Sequence, residues 1–149
     1  MKINIEVTMG HSAETLWPYL AEPERWVEWI PGLVERSRID DGPLRAGSIW
    51  RSVDRVGPFR VEFTDTLTEI EPMRRVAFEQ SAPWNGWGEY LLEPIDVAAA
   101  LLRVRFEAKP TGAIRFLDWL PDAFSAYVMK KDYARLEGLL NEQETGTGT

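Results

Sequence analysis

From Lys2 to Met9 apolar and polar side chains alternate without a break. Ile3, Ile5, Val7 and Met9 fall on one side and Asn4, Glu6 and Thr8 on the other, the period of a strand with one buried face. Gly10 and His11 end the pattern. Ser12 stands where a helix N-cap should, and the spacing predicts a short helix through Leu20 with Leu16, Trp17 and Leu20 buried, although Pro18 costs it a hydrogen bond. Pro23-Glu24 opens a second short helix that carries Trp26 and Trp29 on one side and closes at Pro31-Gly32. From Leu33 to Lys109 the period is two, interrupted by Asp40-Asp41-Gly42-Pro43, Gly57-Pro58, Glu71-Pro72, Ala82-Pro83 with Asn85-Gly86, and Glu93-Pro94 to Asp96. That rhythm predicts six strands joined as a meander.

The period changes again near the end of the chain. Ser125, Met129, Tyr133, Leu136 and Leu140 form one helical stripe flanked by Val128 and Leu139, while Lys130, Lys131, Arg135 and Glu137 make a wet face. Pro121-Asp122 reads as the first turn of a helix, so a bend or restart is expected near Leu120. Glu142 to Thr149 is a polar tail expected to be disordered, which leaves residues 1–141 as one domain.

Consecutive strands followed by one long helix predict an α+β protein, in which a seven-stranded antiparallel sheet curls around the C-terminal helix and two short helices follow the first strand. A curled sheet and a single helix laid across it leave room for a cavity. Composition narrows what could occupy it. A chain of 149 residues that is 44% hydrophobic, with seven Trp, can build a real core, and it has no cysteine and one histidine, so thiol chemistry and a zinc site are not expected. A formal net charge of −7 argues against nucleic acid as a partner, and no stretch is apolar for long enough to span a membrane. The start of the chain runs straight into a strand pattern, so the expected location is cytoplasmic.

Local wording adds a resemblance. Ser12-Ala-Glu-Thr-Leu-Trp17 with Pro23-Glu-Arg-Trp26, Gly42-Pro-Leu-Arg-Ala-Gly47, Gly57-Pro-Phe-Arg-Val-Glu62, Glu69-Ile-Glu-Pro72 and Gly88-Glu-Tyr-Leu-Leu-Glu-Pro94 resemble the START-like, or SRPBCC, superfamily in its bacterial polyketide cyclase/dehydrase-like branch. His11-Ser12 departs from that branch's usual Ala-Pro, and Asp96-Val-Ala-Ala-Ala from its Gly-rich turn. The resemblance implies the helix-grip fold and a pocket for a small hydrophobic or aromatic ligand. No cofactor is expected, and the assembly is expected to be a monomer or a homodimer. Known members include cyclases, hydrolases, lipid carriers and hormone receptors, so fold likeness alone leaves the activity open. The expected function is binding of such a ligand with cofactor-free cyclisation or dehydration. The alternatives are a non-catalytic lipid-like carrier or sensor, and an interaction module with a collapsed cavity.

Asp65 is the most informative candidate, because strict alternation puts it on the inward face with Phe59, Val61, Phe63 and Leu67. Desolvation would raise such a carboxyl toward neutrality and suit it to proton transfer, unless a bulge turns it outward or an arginine pairs with it. Tyr90 would present a phenol to the same interior, either as a donor to a ligand oxygen or bonded to backbone. Arg51, if inward, would anchor an anionic group or neutralise Asp65. The expected ligand wall is Phe63, Phe78, Trp50, Trp84, Trp119 and Met129, with Gly86 and Gly88 beside Trp87 either leaving room beneath them or marking a bulge or a close helix contact. His11 is expected in a solvent-exposed turn, and Glu35 to Asp41 as solvated strand surface.

Overall fold

The computed structural model describes residues 1–147, with side chains through Thr145. Strand β1 (Lys2–Met9) is followed by helix α1 (Ala13–Ala21), a 3-10 helix (Pro23–Glu28), and six strands: β2 (Leu33–Arg38), β3 (Ile49–Val56), β4 (Phe59–Glu71), β5 (Arg75–Gln80), β6 (Gly86–Asp96) and β7 (Ala99–Ala108). A second 3-10 helix (Gly112–Trp119) leads into helix α2 (Asp122–Thr147). The sheet order is β1-β7-β6-β5-β4-β3-β2, a meander of six strands that β1 extends by pairing antiparallel with β7. This is the helix-grip arrangement: one curled antiparallel sheet with a long helix across it.

Several boundaries follow local chemistry. Ser12 caps α1, its Oγ accepting from the Thr15 N–H at 3.2 Å. Leu120 is extended between the two C-terminal helices, and the Pro121 carbonyl accepts from the Phe124 and Ser125 N–H groups as α2 begins. The polar end differs from expectation, because α2 continues through Thr147; Gly148 and Thr149 of the expected tail lie outside the described residues. Among the described residues no helix is long and apolar enough to cross a membrane.

The C-terminal half of α2 is the anchored half. Tyr133, Leu136 and Leu140 are buried in the main core. Glu137 Oε1 accepts from the Gly10 N–H at 2.7 Å, the Asn141 side chain meets His11 Nε2 at 2.7 Å, and Gln143 accepts from the Tyr19 hydroxyl at 2.8 Å. His11 is therefore buried rather than exposed, because a partner 130 residues away covers its turn. Before Tyr133, α2 contains no fully buried residue.

Gly88 leaves no room for a ligand, since the chain fills that space itself. A Cβ there would come within 2.6 Å of the Phe78 ring and 3.2 Å of Phe106. Gly88→Ala is therefore expected to destabilise by about 1–3 kcal/mol through overpacking, measured by urea denaturation.

Candidate functional site

The apolar interior falls into two clusters, a large one running from α1 to the C-terminal half of α2 and a small one of Val61, Phe63 and Ile114 with Val56, Trp84 and Leu117 against it. A cavity of about 340 Å³ is lined by residues of both. Phe63, Phe78, Trp84, Tyr90 and Phe106 form its sheet side, and Phe124, Ser125, Val128, Met129, Asp132 and Tyr133 its helix side. Phe124 and Val128 line the cavity and are also exposed, so its mouth lies along the loosely packed half of α2.

The cation of this interior comes from β2 through an irregularity. Leu33 lies opposite Asp54, whereas Glu35 lies opposite Val53 and Arg36 opposite Ser52, so Val34 is an extra residue with no partner. Such a bulge shifts the phase of alternation, and Leu33 and Arg36, three apart, both point inward. The Arg36 side chain is 1% exposed. Its Nε donates to Ser52 Oγ at 3.2 Å, its Nη1 to the Pro23 carbonyl at 3.3 Å and its Nη2 to Asp65 Oδ2, while the guanidinium lies 4.6 Å over the Trp26 ring. The expectation that Glu35 to Asp41 is solvated surface is thus corrected at Arg36.

Asp65 faces inward on β4 and is 1% exposed, but it lies behind the cavity wall, not on it. Ser52 Oγ donates to its Oδ2 at 2.8 Å, and Gln80, opposite Asp65 across β4 and β5, lies beside the carboxylate without a hydrogen bond of normal geometry to Oδ1. Burial pushes the Asp65 carboxyl up, and Arg36, Ser52 and Gln80 oppose that. With a guanidinium in contact, the two hold as an ion pair.

The inward row of β3 is Trp50, Ser52, Asp54 and Val56, the residues opposite Asp65, Phe63, Val61 and Phe59. Arg51 is consequently on the outer face, where its Nε meets Glu62 at 2.6 Å, and the interior partner of Asp65 is Arg36 instead. Trp50 is buried but does not line the cavity; its Nε1 donates to Glu24 at 3.0 Å. Trp119 is 78% exposed and also does not line it.

Two carboxyls that sequence reasoning did not single out do line the cavity. Asp54 comes from β3 and Asp132 from α2, where it continues the row of Phe124 and Val128 at intervals of four. That spacing was the signal available in the sequence. Burial, helped by the nearby Asp65, pushes Asp54 up to about 7. Burial likewise pushes Asp132 up to about 6, against the pull of Arg135. An unfolded chain would release both protons near pH 3.8, so between there and neutrality the folded protein holds more protons than the unfolded one. The two groups therefore make stability fall as pH rises through that window and level off above about 7. The Tyr90 and Tyr133 hydroxyls interact with each other, and burial pushes both up, so both keep their protons. The indole N–H of Trp84 is buried beside Asp54 without a hydrogen bond of normal geometry.

The arrangement thus offers an apolar enclosure with carboxyls poised between charge states, phenols that can only donate or accept as neutral groups, and a fixed guanidinium. Comparison with known proteins agrees with the architecture. The family model described as polyketide cyclase / dehydrase and lipid transport matches residues 1–141. No curated protein matches the sequence. Among solved structures, a START superfamily protein from Mycobacterium smegmatis superposes with a TM-score of 0.75 at 14% identity, covering 95% of this chain and 98% of that one. The Zhui aromatase/cyclase from Streptomyces gives 0.66 at 20% identity, covering 97% and 93%. The di-domain ARO/CYC BexL gives 0.69 at 18% identity over 95% of this chain, which spans only 46% of that longer protein. At these identities the likeness concerns the fold.

Proposed function

The chain belongs to the polyketide cyclase / dehydrase and lipid transport family, and from that premise we propose that it takes a small, largely apolar, aromatic molecule between sheet and long helix and moves protons on it in a cofactor-free cyclisation or dehydration. The observation that carries this reading is the placement of Asp54 and Asp132 in one apolar cavity, with carboxyls raised to about 7 and about 6. A general acid or base works best when its pKa lies near the working pH. Asp54 takes or gives the proton. The Tyr90 phenol and the two Arg36 N–H groups not already engaged stabilise developing negative charge on the ligand. Asp65 becomes a positioning residue that holds Arg36, in place of the acid read from the sequence.

A non-catalytic carrier is the second reading, favoured by the exposed apolar side chains of Phe124 and Val128 at the cavity mouth. Native mass spectrometry of the protein isolated from its own host tests both. An aromatic guest that is converted on incubation supports the enzyme, and one returned unchanged supports the carrier. Protein that is recovered empty and takes up no aromatic compound would remove the ligand site altogether.

A further inference from the structure

We propose that the occupant carries a protonated amine, whose ammonium group is received by Asp54, Asp132 and the Gln80 amide oxygen on the cavity wall. This rests on the reading of the cavity as a ligand site and names the chemical class that the site selects.

The argument is one of charge and of unmet hydrogen bonds. Arg36 is the guanidinium that belongs to the interior, and its charge is already paired with that of Asp65. Asp54 and Asp132 are additional carboxyls, and among the described residues neither has an ion-pair partner within 4.0 Å. Ionising both would leave the enclosure with two uncompensated negative charges, an arrangement that a low-dielectric site strongly resists unless a cation joins it. The Gln80 Oε1 atom, buried and without a hydrogen-bond partner, lines the same cavity. Trp84 can offer one N–H to Asp54, so the unmet groups are mostly acceptors. An ammonium supplies up to three N–H donors and the missing positive charge together. A carboxylate-bearing guest would instead add a third uncompensated charge.

The charged and titratable groups around this position are Arg36 from β2, Arg55 beside Asp54 on β3, Asp65 from β4, Tyr90 from β6, and Tyr133 and Arg135 from α2, and the lining residue Met1 carries an N-terminal ammonium already paired with Asp118. The two tyrosines stay neutral, so Asp54 and Asp132 are the groups whose ionisation would make affinity for a cation rise with pH.

Isothermal titration of the full chain with 2-phenylethylamine, 2-phenylethanol and 3-phenylpropionate tests the assignment, because the three share a ring and differ in the charge of the tail. At pH 8 the amine should bind at least tenfold tighter than the alcohol, and that ratio should shrink at pH 5 as the carboxyls take up protons. Asp54→Asn and Asp132→Asn should each lower the ratio, with thermal melting as the check that each variant is folded. Equal affinity for amine and alcohol, or tightest binding of the acid, would overturn the amine assignment while leaving the cavity as a ligand site. Absence of binding by all three would overturn the assignment and the ligand-site reading together.

Discussion

Arg36→Met should lower folding stability by about 3–5 kcal/mol at neutral pH, the typical effect of leaving one member of a buried ion pair without its partner. Three bonds disappear at once: those to Asp65, to Ser52 and to the Pro23 carbonyl. The Asp65 carboxylate would then stay behind with Ser52 and Gln80 alone, at a position 1% exposed. A second change, Asp65→Leu, removes the stranded charge and should restore most of the loss, since a buried pair replaced by apolar groups of similar size is often neutral or better. Chemical denaturation of the single and double variants gives the coupling directly. If the single change proves as mild as a surface substitution, Arg36 is not the interior cation.

Asp54→Asn should reduce turnover by about 10²–10⁴-fold once the guest recovered from the host is available as substrate, the usual contribution of a positioned acid or base. The same variant should be more stable than the parent at pH 8, by about 1–3 kcal/mol, because it no longer has to hold a carboxylate in a dry wall. Well below the ordinary value of 3.8, where folded and unfolded chains both carry the protonated acid, the two proteins should melt alike. Loss of activity joined to a gain of stability distinguishes a functional acid from a packing residue. A variant that turns over normally would move the chemistry to Asp132 or exclude proton transfer at this wall.

Much of the fold could be read directly from local pattern. Alternation from Lys2 to Met9, turn residues between Leu33 and Lys109, the Ser12 cap and the restart after Leu120 are all encoded by near neighbours, and the same alternation placed Asp65 inward. The misplaced residues depend on information that near neighbours do not hold. Arg36 turned inward because of one unpaired residue at Val34, which no pattern in β2 announces. Arg51 went outward because β3 buries the side that carries Trp50, Ser52 and Asp54, a choice made by the Asp65 and Phe63 row of β4. His11 was buried by Asn141 and Glu137 from the far end of the chain. Glu142 to Thr147 stayed helical where composition alone suggested a loose end.

The Val34 irregularity also bears on how the molecule behaves in crowded solution. β2 is one of the two outer strands of the sheet, so its free side carries backbone donors and acceptors that another chain could copy. An unpaired residue next to Glu35 breaks that row after Leu33 and leaves too short a stretch to seed addition of a foreign strand. Deleting Val34 would leave Arg36 facing Ser52 as before, yet would straighten the rim into an unbroken template. The variant would keep its interior and lose its protection against fibrous self-association.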